Sequence, residues 1–206
     1  MRRVNVVGTS GSGKTTYGAA LARRLGVPHV ELDALSWEAN WVSVAPAVLR
    51  ERVARAVAAE AWVVDGNYRA TRDLVLGGAD TVVWLDFPFA LVMWRVIART
   101  LRRIVRDEFL WSGNRESLRL ALSRDSIILW AMTTYWRRRR DYPRLFLQYP
   151  GVRTVRLRSP AQARLFLEAI GPPAQDPVSA PRNRPGRRQG GSPAGGTTTP
   201  GAPGRQ

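Results

Sequence analysis

Short apolar runs alternate along this chain with longer amphipathic segments. The runs are four to six residues long and rich in valine, which is typical of buried strands. The longer segments repeat apolar residues at helical spacing and lie beside glycine or proline, which often mark helix ends. This alternating order predicts an α/β protein, a parallel sheet with helices on both faces. The predicted strands are 3–7, 28–32, 61–64, 81–85 and 152–157, and the predicted helices are 15–25, 46–59, 89–106, 116–147 and 160–170.

The composition changes at about residue 170. Gly and Pro make up 16 of the 36 residues from 171 to 206, and no aromatic residue occurs there. A segment of this composition cannot bury a core, so we expect a disordered, Gly/Pro/Arg-rich tail over 171–206. One domain is expected over 1–170, with a helical insertion at about 100–148.

Several classes of protein are excluded by composition. The chain has no cysteine and one histidine, which excludes disulfides, cysteine-ligated zinc and thiol catalysis. Its most apolar stretch, 81–98, is interrupted by charged residues and proline and falls short of the ~20 residues that span a bilayer. The first residues lack the apolar length of a signal peptide. We therefore expect a cytoplasmic protein with no membrane contact.

The charge is strongly basic and almost entirely due to arginine. There are 32 basic and 16 acidic residues, giving a net charge of +16, and Lys14 is the only lysine. Because a compact ammonium and a planar guanidinium are not interchangeable, one lysine among so many arginines indicates a position that needs a point charge. The segment 95–140 concentrates the positive charge, with 12 arginines against four acidic residues.

Residues 8–15 match the pattern G-x-x-x-x-G-K-[ST] between a predicted strand and a predicted helix. The glycines allow backbone N–H groups to surround phosphate oxygens, and the helix N-terminus adds the positive end of its dipole. Lys14 is expected to bridge the β- and γ-phosphates, and Thr15 to hold Mg²⁺. The motif predicts ATP and Mg²⁺ as cofactors. The predicted nucleotide-binding residues here are Gly8, Thr9, Ser10, Gly11, Ser12, Gly13, Lys14, Thr15 and Thr16.

Metal-assisted phosphoryl transfer also needs a carboxylate at a neighbouring strand end. Asp65 follows the third predicted strand and Asp86 the fourth, at the sheet edge where open α/β sheets bind ligands. Asp65 is favoured as the metal residue, because Gly66 allows the backbone to approach phosphate closely. Either aspartate could instead serve a strand-end turn.

Asp33 closes the second predicted strand, where a small phosphotransferase binds its acceptor. It could orient or deprotonate an acceptor hydroxyl, or cap a turn or helix. Trp37 and Trp41 could stack on an acceptor ring or cover the sheet edge. His29 lies near the strand start, away from the expected catalytic edge, and is interpreted as structural.

Four segments together resemble the adenylate-kinase-like proteins often called topology modulation proteins, over about residues 3–158. They are Gly8 to Thr15, Leu32-Asp33 with Trp37 and Trp41, Trp62-Val63-Val64-Asp65-Gly66-Asn67-Tyr68, and Leu85-Asp86-Phe87-Pro88 leading into an arginine-bearing helix. The resemblance implies a P-loop NTPase fold of the nucleoside and shikimate kinase type, with a five-stranded parallel sheet and a helical lid.

The resemblance also implies roles for individual residues. As in nucleoside monophosphate kinases, Asp65 would serve the Mg²⁺ site and Arg69 or Arg72 would grip the acceptor phosphate. Arg95 would lie over the adenine and Arg99 nearer the phosphates. The candidate lid arginines are Arg115, Arg124 and Arg137 to Arg140, and the predicted catalytic set is Lys14, Asp33, Arg99 and Arg124.

The leading hypothesis is a kinase that transfers the ATP γ-phosphoryl group to a small acceptor, with a nucleotide or nucleoside favoured and a hydroxylated metabolite second. The alternative is a nucleic-acid-associated P-loop NTPase, since clustered arginines with interleaved aromatics in 95–140 could bind a phosphate backbone and stack bases. The same arginines could instead form a lid or a solvated helix face. We expect a monomer or homodimer; the apolar segment 127–132 packs the lid helix onto the core or serves a dimer contact.

Overall fold

The computed structural model describes residues 1–39, 42–106 and 127–171, and five strands in these ranges form one parallel sheet. The strand order is β2-β3-β1-β4-β5, so β1 lies at the centre. Register pairs Gly8 with Leu85 and Val6 with Asp65, which brings the carboxyl ends of the three central strands together. The strands are β1 (Arg3–Gly8), β2 (His29–Glu31), β3 (Trp62–Asp65), β4 (Thr81–Leu85) and β5 (Arg153–Leu157).

Seven α-helices occur in the described ranges, and local sequence explains several of their ends. Pro46 and Pro160 occupy first-turn positions, where the missing N–H costs nothing. Gly26 ends the first helix in the left-handed conformation at φ 66°. The Ser159 side chain accepts a hydrogen bond from the backbone N–H of Gln162. The helices are α1 (Lys14–Leu25), α2 (Leu32–Ser36), α3 (Pro46–Ala56), α4 (Arg72–Gly78), α5 (Phe89–Arg106), α6 (Ile127–Phe146) and α7 (Pro160–Ala169), with a short 3₁₀ turn at Arg69–Thr71 before α4.

Buried side chains pack on both faces of the sheet. Val4 and Val6 of β1 join a cluster with residues of α1 and α7, whereas Val7 joins a cluster with Trp84 and Tyr142. Successive strand residues point to opposite faces, so this alternation places helices on both sides. The predicted fold class, a five-stranded parallel P-loop NTPase sheet with helices on both faces, is confirmed. No helix of the described ranges is long and apolar enough to cross a membrane.

The element boundaries differ from the predictions in a few places. Strand 81–85 and helix 89–106 are as predicted, while α3 ends at residue 56 instead of 59. The second strand was predicted to continue to Leu32, but it ends at Glu31 and Leu32 begins the short helix α2. Asp33 therefore lies in the first turn of a helix, not at a strand end. Neither α4 nor the 3₁₀ turn was predicted.

Some predictions concern residues outside the described ranges. Of the predicted helix 116–147, residues 127–146 are helical, and 116–126 are not described. Trp41, Arg115, Arg124 and the predicted tail beyond residue 171 also lie outside the described ranges. The catalytic role of Arg124 and the domain boundary at residue 170 stay predictions.

Candidate active site

The loop between β1 and α1 has a conformation that only glycine permits at several positions. Gly11 and Gly13 have φ values of 84° and 87°, in the left-handed region. A Cβ at Gly8 would lie 2.8 Å from the carbonyl oxygen of Leu85. The loop is closed by a 3.1 Å hydrogen bond from the Ser12 N–H to the Thr9 carbonyl. No side chain caps the start of α1, so its first N–H groups are available to an anion.

Lys14 lies in this loop, partly buried. Its Nζ donates to the Thr9 carbonyl at 3.2 Å. Burial and the positive charge of Arg138 lower the pKa of Lys14 to about 8, with Arg99 acting in the same direction and the carboxylates of Asp33 and Asp65 opposing. The ammonium thus lies near two further cations as well as two carboxylates, and a bound polyphosphate would offset its repulsion by the arginines.

Arginines of α5 and α6 reach the same loop. Arg138 Nη1 donates to the Gly8 carbonyl at 3.1 Å, and Arg95 Nη1 to the Ser12 carbonyl at 3.4 Å. The approach of α5 is close, since a Cβ at Gly11 would lie 2.4 Å from Val96 Cγ2. Arg95 therefore lies beside the phosphate loop, and the charge of Arg99 acts on Lys14 there. The expected position of Arg99 nearer the nucleotide phosphates stays a prediction. The stacking of Arg95 over an adenine stays a prediction.

Thr15 and Asp65 are brought together at the carboxyl ends of the central strands. Thr15 Oγ1 donates to Asp65 Oδ1 across 3.4 Å, and Asp65 is almost completely buried. Hydroxyl and carboxylate oxygens are the ligands that Mg²⁺ prefers, and this ion usually takes few protein oxygens and completes its shell with phosphate and water. The two side chains therefore fit the predicted magnesium site.

Asp86, the other aspartate considered for the metal, is engaged elsewhere. Its Oδ1 lies 2.9 Å from Arg139 Nε of α6, and its Oδ2 lies 2.9 Å from Arg156 Nε of β5. Both carboxylate oxygens thus accept from guanidinium groups. Asp86 thus joins α6 and β5 to the end of β4. This is a structural role, as opposed to the metal-binding role considered for it.

His29 contacts the favoured metal residue. Its Nε2 lies 2.8 Å from Asp65 Oδ2, although the sequence analysis placed His29 away from the catalytic edge. In the sheet His29 is in register with Val63, so its contact with Asp65 is diagonal and reaches two residues farther along β3. That expectation was wrong because position along β2 says nothing about a diagonal contact with β3.

A hydrogen-bonded network also surrounds Asp33. Tyr68 Oη donates to Asp33 Oδ1 at 2.7 Å, and Ser36 Oγ donates to Tyr68 Oη at 2.7 Å. Burial and the neighbouring charge of Asp33 raise the pKa of Tyr68, so the phenol keeps its proton. The sequence analysis assigned no role to Tyr68 or Ser36. Tyr68 stood in the Asp-Gly-Asn-Tyr segment, which was the only signal for it.

The turn after β3 is held by a buried amide. Asn5 Nδ2 donates to the carbonyls of Val64 and Gly66, both at 3.1 Å. Gly66 has φ 117°, and a Cβ there would lie 2.9 Å from Leu32 Cβ. Farther along, Arg72 Nε donates to Asn67 Oδ1 at 3.1 Å. These contacts fix the segment that carries Asp65, Tyr68 and the predicted acceptor arginines.

One large cleft, with a volume of about 2360 Å³, connects these parts. Its wall contains the phosphate loop, Asp33, Trp37, Arg69 and Arg72. Ten arginines and Lys14 line it against three carboxylates among the described residues. The arginines are Arg69, Arg72, Arg95, Arg99, Arg102, Arg103, Arg137, Arg138, Arg144 and Arg164, and the carboxylates belong to Glu31, Asp33 and Asp141.

Comparisons with known proteins found a partial family match and several solved structures of similar fold. Residues 4–71 match the ATPase family associated with various cellular activities (AAA). No curated protein sequence is significantly similar to the chain. Among solved structures, a shikimate kinase from Acinetobacter baumannii in complex with shikimate has 19% identity and a TM-score of 0.51, covering 82% of this chain and 90% of that one. A shikimate kinase from Bacteroides thetaiotaomicron has 15% identity and a TM-score of 0.50, covering 82% and 96% respectively.

At these identities the two structures establish the fold alone. The chain therefore has the fold of these two kinases, and it carries a phosphate-loop motif between β1 and α1. A gluconokinase from Sinorhizobium meliloti, with 18% identity, a TM-score of 0.46 and coverage of 82% of this chain and 93% of that one, is also similar.

Proposed function

We propose that this protein is an ATP- and Mg²⁺-dependent phosphotransferase that transfers the γ-phosphoryl group to a small acceptor, with a nucleotide or nucleoside favoured. One observation carries the proposal. The cleft is lined by the cationic phosphate loop with Thr15, which contacts Asp65, and also by Asp33 and its partner Tyr68. A kinase needs both groups along one cleft, because donor and acceptor must meet there in a fixed orientation.

On the donor side, the loop N–H groups and Lys14 bind the ATP phosphates. Arg138 and Arg99 lie close enough to Lys14 for their charges to act on it, so they also act on phosphates bound there. Such preorganised cations stabilise the charge on the transferring group without reorganising during the reaction. Thr15 and Asp65 would hold Mg²⁺, which when bound neutralises phosphate charge and fixes its geometry.

On the acceptor side, Asp33 orients the nucleophile. Asp33 Oδ1 accepts the hydrogen bond from Tyr68, which ties the carboxylate to the segment that follows β3. When the nucleophile is a hydroxyl, Asp33 accepts its proton as a general base. When it is a phosphate, no base is needed, and Arg69 and Arg72 position the acceptor instead.

The charge of the cleft favours an acceptor that carries phosphate. Among the described residues, eleven cationic side chains line the cleft against three carboxylates, which exceeds the charge that one bound Mg·ATP neutralises. Arg72 is held by Asn67, and Trp37 supplies a ring on which a base can stack. The resemblance to adenylate-kinase-like topology modulation proteins supports the same acceptor class. The fold similarity to a shikimate kinase in complex with shikimate supports an anionic hydroxylated metabolite as second candidate.

The test is direct detection of phosphorylated product. Wild type and Lys14→Met are incubated with Mg·ATP and a panel of nucleoside monophosphates, nucleosides and hydroxylated acids. A product made by wild type and lost in Lys14→Met supports the proposal and identifies the acceptor. Arg55→Met, an exposed cation of α3 outside the cleft, is the matched control and should keep full activity.

The competing function is a nucleic-acid-associated NTPase. Trp130 and Trp136 are exposed on α6 beside Arg137 and Arg140, which suits base stacking and phosphate contacts. Failure of every small acceptor, together with ATP hydrolysis stimulated by DNA or RNA, would favour this function. Binding through phosphate contacts should then weaken steeply as salt rises.

A further inference from the structure

Three residues from different elements meet behind the phosphate loop: Gly18 of α1, His29 of β2 and Asp65 of β3. His29 Nε2 lies 2.8 Å from Asp65 Oδ2. A Cβ at Gly18 would lie 2.7 Å from the same Nε2 and 3.4 Å from Asp65 Cβ. The imidazole therefore occupies space that exists because α1 has no side chain at this position.

The contact divides the two oxygens of the Asp65 carboxylate. Oδ2 is taken by His29, and Oδ1 faces Thr15 Oγ1 at 3.4 Å. The side chain of Asp65 is 2% exposed, so solvent offers little alternative to these partners. A carboxylate with only one fixed oxygen could turn about its Cβ–Cγ bond, whereas two partners on opposite oxygens hold its plane.

The contact between His29 and Asp65 needs a hydrogen-bond donor on the imidazole ring, but it does not need the ring to be charged. An ionised carboxylate only accepts, so the hydrogen of this bond must be on His29 Nε2. Neutral imidazole with its hydrogen on Nε2 satisfies this as well as imidazolium does. The same hydrogen could come from a side-chain amide, which is why glutamine is the informative replacement.

We propose that His29 is a positioning residue that holds Asp65 in the orientation required for the magnesium site, and that Gly18 provides the space for it. This inference rests on the proposed use of Thr15 and Asp65 for Mg²⁺. Partners that orient metal ligands commonly change metal affinity by about 10- to 100-fold when they are removed. His29 itself is not among the residues that line the cleft, so the proposed role acts through Asp65.

The experiment measures how much Mg²⁺ improves nucleotide binding, with no phosphoryl transfer involved. A non-hydrolysable ATP analogue is titrated calorimetrically into the full chain, in excess Mg²⁺ and in EDTA. The variants are His29→Leu, which removes the donor, His29→Gln, which restores one, and Gly18→Ala, which displaces the imidazole without deleting it. Gly77→Ala is the control, because it is also a helical glycine but a Cβ there meets nothing within 4 Å.

The expected result is specific to the metal. His29→Leu and Gly18→Ala should lose about tenfold or more of the improvement that Mg²⁺ gives, with unchanged affinity in EDTA. His29→Gln should recover most of it, and Gly77→Ala should match wild type. If the His29–Asp65 hydrogen bond were only a structural contact, its loss would leave unchanged the ratio of the dissociation constants measured in EDTA and in excess Mg²⁺.

Several results would overturn the inference. The first is that Mg²⁺ improves nucleotide binding in His29→Leu as much as in wild type. The second is that His29→Leu loses as much affinity in EDTA as in Mg²⁺. The third is that His29→Gln loses as much of the improvement as His29→Leu does. If His29→Leu does not fold, a wild-type ratio in Gly18→Ala overturns it. The two proposals can fail separately. If the variants change the Mg²⁺ effect as expected but wild type phosphorylates no acceptor, only the proposed kinase function is contradicted.

Discussion

Arg138 Nη1 lies 3.1 Å from the carbonyl oxygen of Gly8, a hydrogen bond between residues 130 positions apart. It attaches helix α6 to the first residue of the phosphate loop. The same guanidinium is the main charge that lowers the pKa of Lys14, after burial. Helix α6 thus places a charge beside the phosphate loop that adds to the effect of burial on Lys14.

The first prediction concerns this coupling. Arg138→Gln should raise the pKa of Lys14 from about 8 toward the ordinary lysine value, because a nearby positive charge is removed. Since Lys14 is the only lysine, protein labelled with ¹³C-lysine gives a single side-chain NMR signal to titrate. Arg140→Gln is the control, because Arg140 is largely exposed and pairs with Asp141. An unchanged Lys14 midpoint in Arg138→Gln would refute the coupling.

Nucleotide affinity should depend on pH through Lys14. In the free protein Lys14 loses its proton as pH rises through about 8. Bound phosphates favour the charged form, so binding above this pH takes up a proton and affinity should fall by up to about tenfold per pH unit. Calorimetric titrations between pH 7 and 9.5 measure this. Lys14→Met should show weak binding with no such decline, and a parallel decline in both proteins would assign the effect to another group.

Stability should change with pH in the opposite direction. The pKa of Lys14 is lower in the folded chain than its ordinary value of 10.5, so between about pH 8 and 10.5 the unfolded state binds more protons. The contribution of Lys14 to the free energy of unfolding should therefore rise with pH across this window. Urea unfolding of wild type against Lys14→Met isolates it, since the two curves share all other titrating groups. A difference that is constant with pH would contradict the lowered pKa.

Tyr68→Phe should separate acceptor chemistry from nucleotide binding. The substitution removes the hydroxyl that donates to Asp33 at 2.7 Å and leaves the ring. A hydrogen bond to a charged group contributes about 1.5–3 kcal/mol, so turnover with the acceptor should fall by about tenfold or more. The dissociation constant of the ATP analogue should not change.

Tyr149→Phe is the matched control for this prediction, because Tyr149 packs in the cluster around Trp84, outside the cleft wall. Equal losses in the two variants, or weakened nucleotide binding in Tyr68→Phe, would show that Tyr68 does not act through Asp33.

Asp86→Asn should destabilise the fold substantially. Asp86 is buried and paired with Arg139 and Arg156, both of which would lose their charged partner. Breaking a fully buried pair costs about 3–5 kcal/mol, but the two guanidinium groups are a third exposed, so about 2 kcal/mol is expected in urea unfolding.

The surface pair of Arg50 and Asp73 provides a comparison for Asp86. Its hydrogen bonds lower the pKa of Asp73 to about 2, yet the carboxylate is exposed. Asp73→Asn should therefore change the urea midpoint much less than Asp86→Asn does. Similar changes in the two variants would show that the buried position of Asp86 gives its ion pairs no special weight.

Much of the fold, and the phosphate-loop part of the candidate site, could be predicted from the sequence alone. The phosphate loop, the strand at 81–85 and the helix at 89–106 have local signals, because glycine conformations, residue periodicity and helix ends depend on neighbours in the chain. The pairing of Thr15 with Asp65 was also predictable, since carboxyl ends of parallel strands meet at one edge of a sheet.

Only the tertiary structure decided which polar side chains act together. It distinguished Asp65 from Asp86, since both follow a buried strand and differ only in whether arginines of distant elements take their oxygens. It brought His29 to Asp65 and Arg138 to Gly8, contacts that span 36 and 130 residues. Such contacts depend on sheet order and helix packing, which local sequence patterns do not encode.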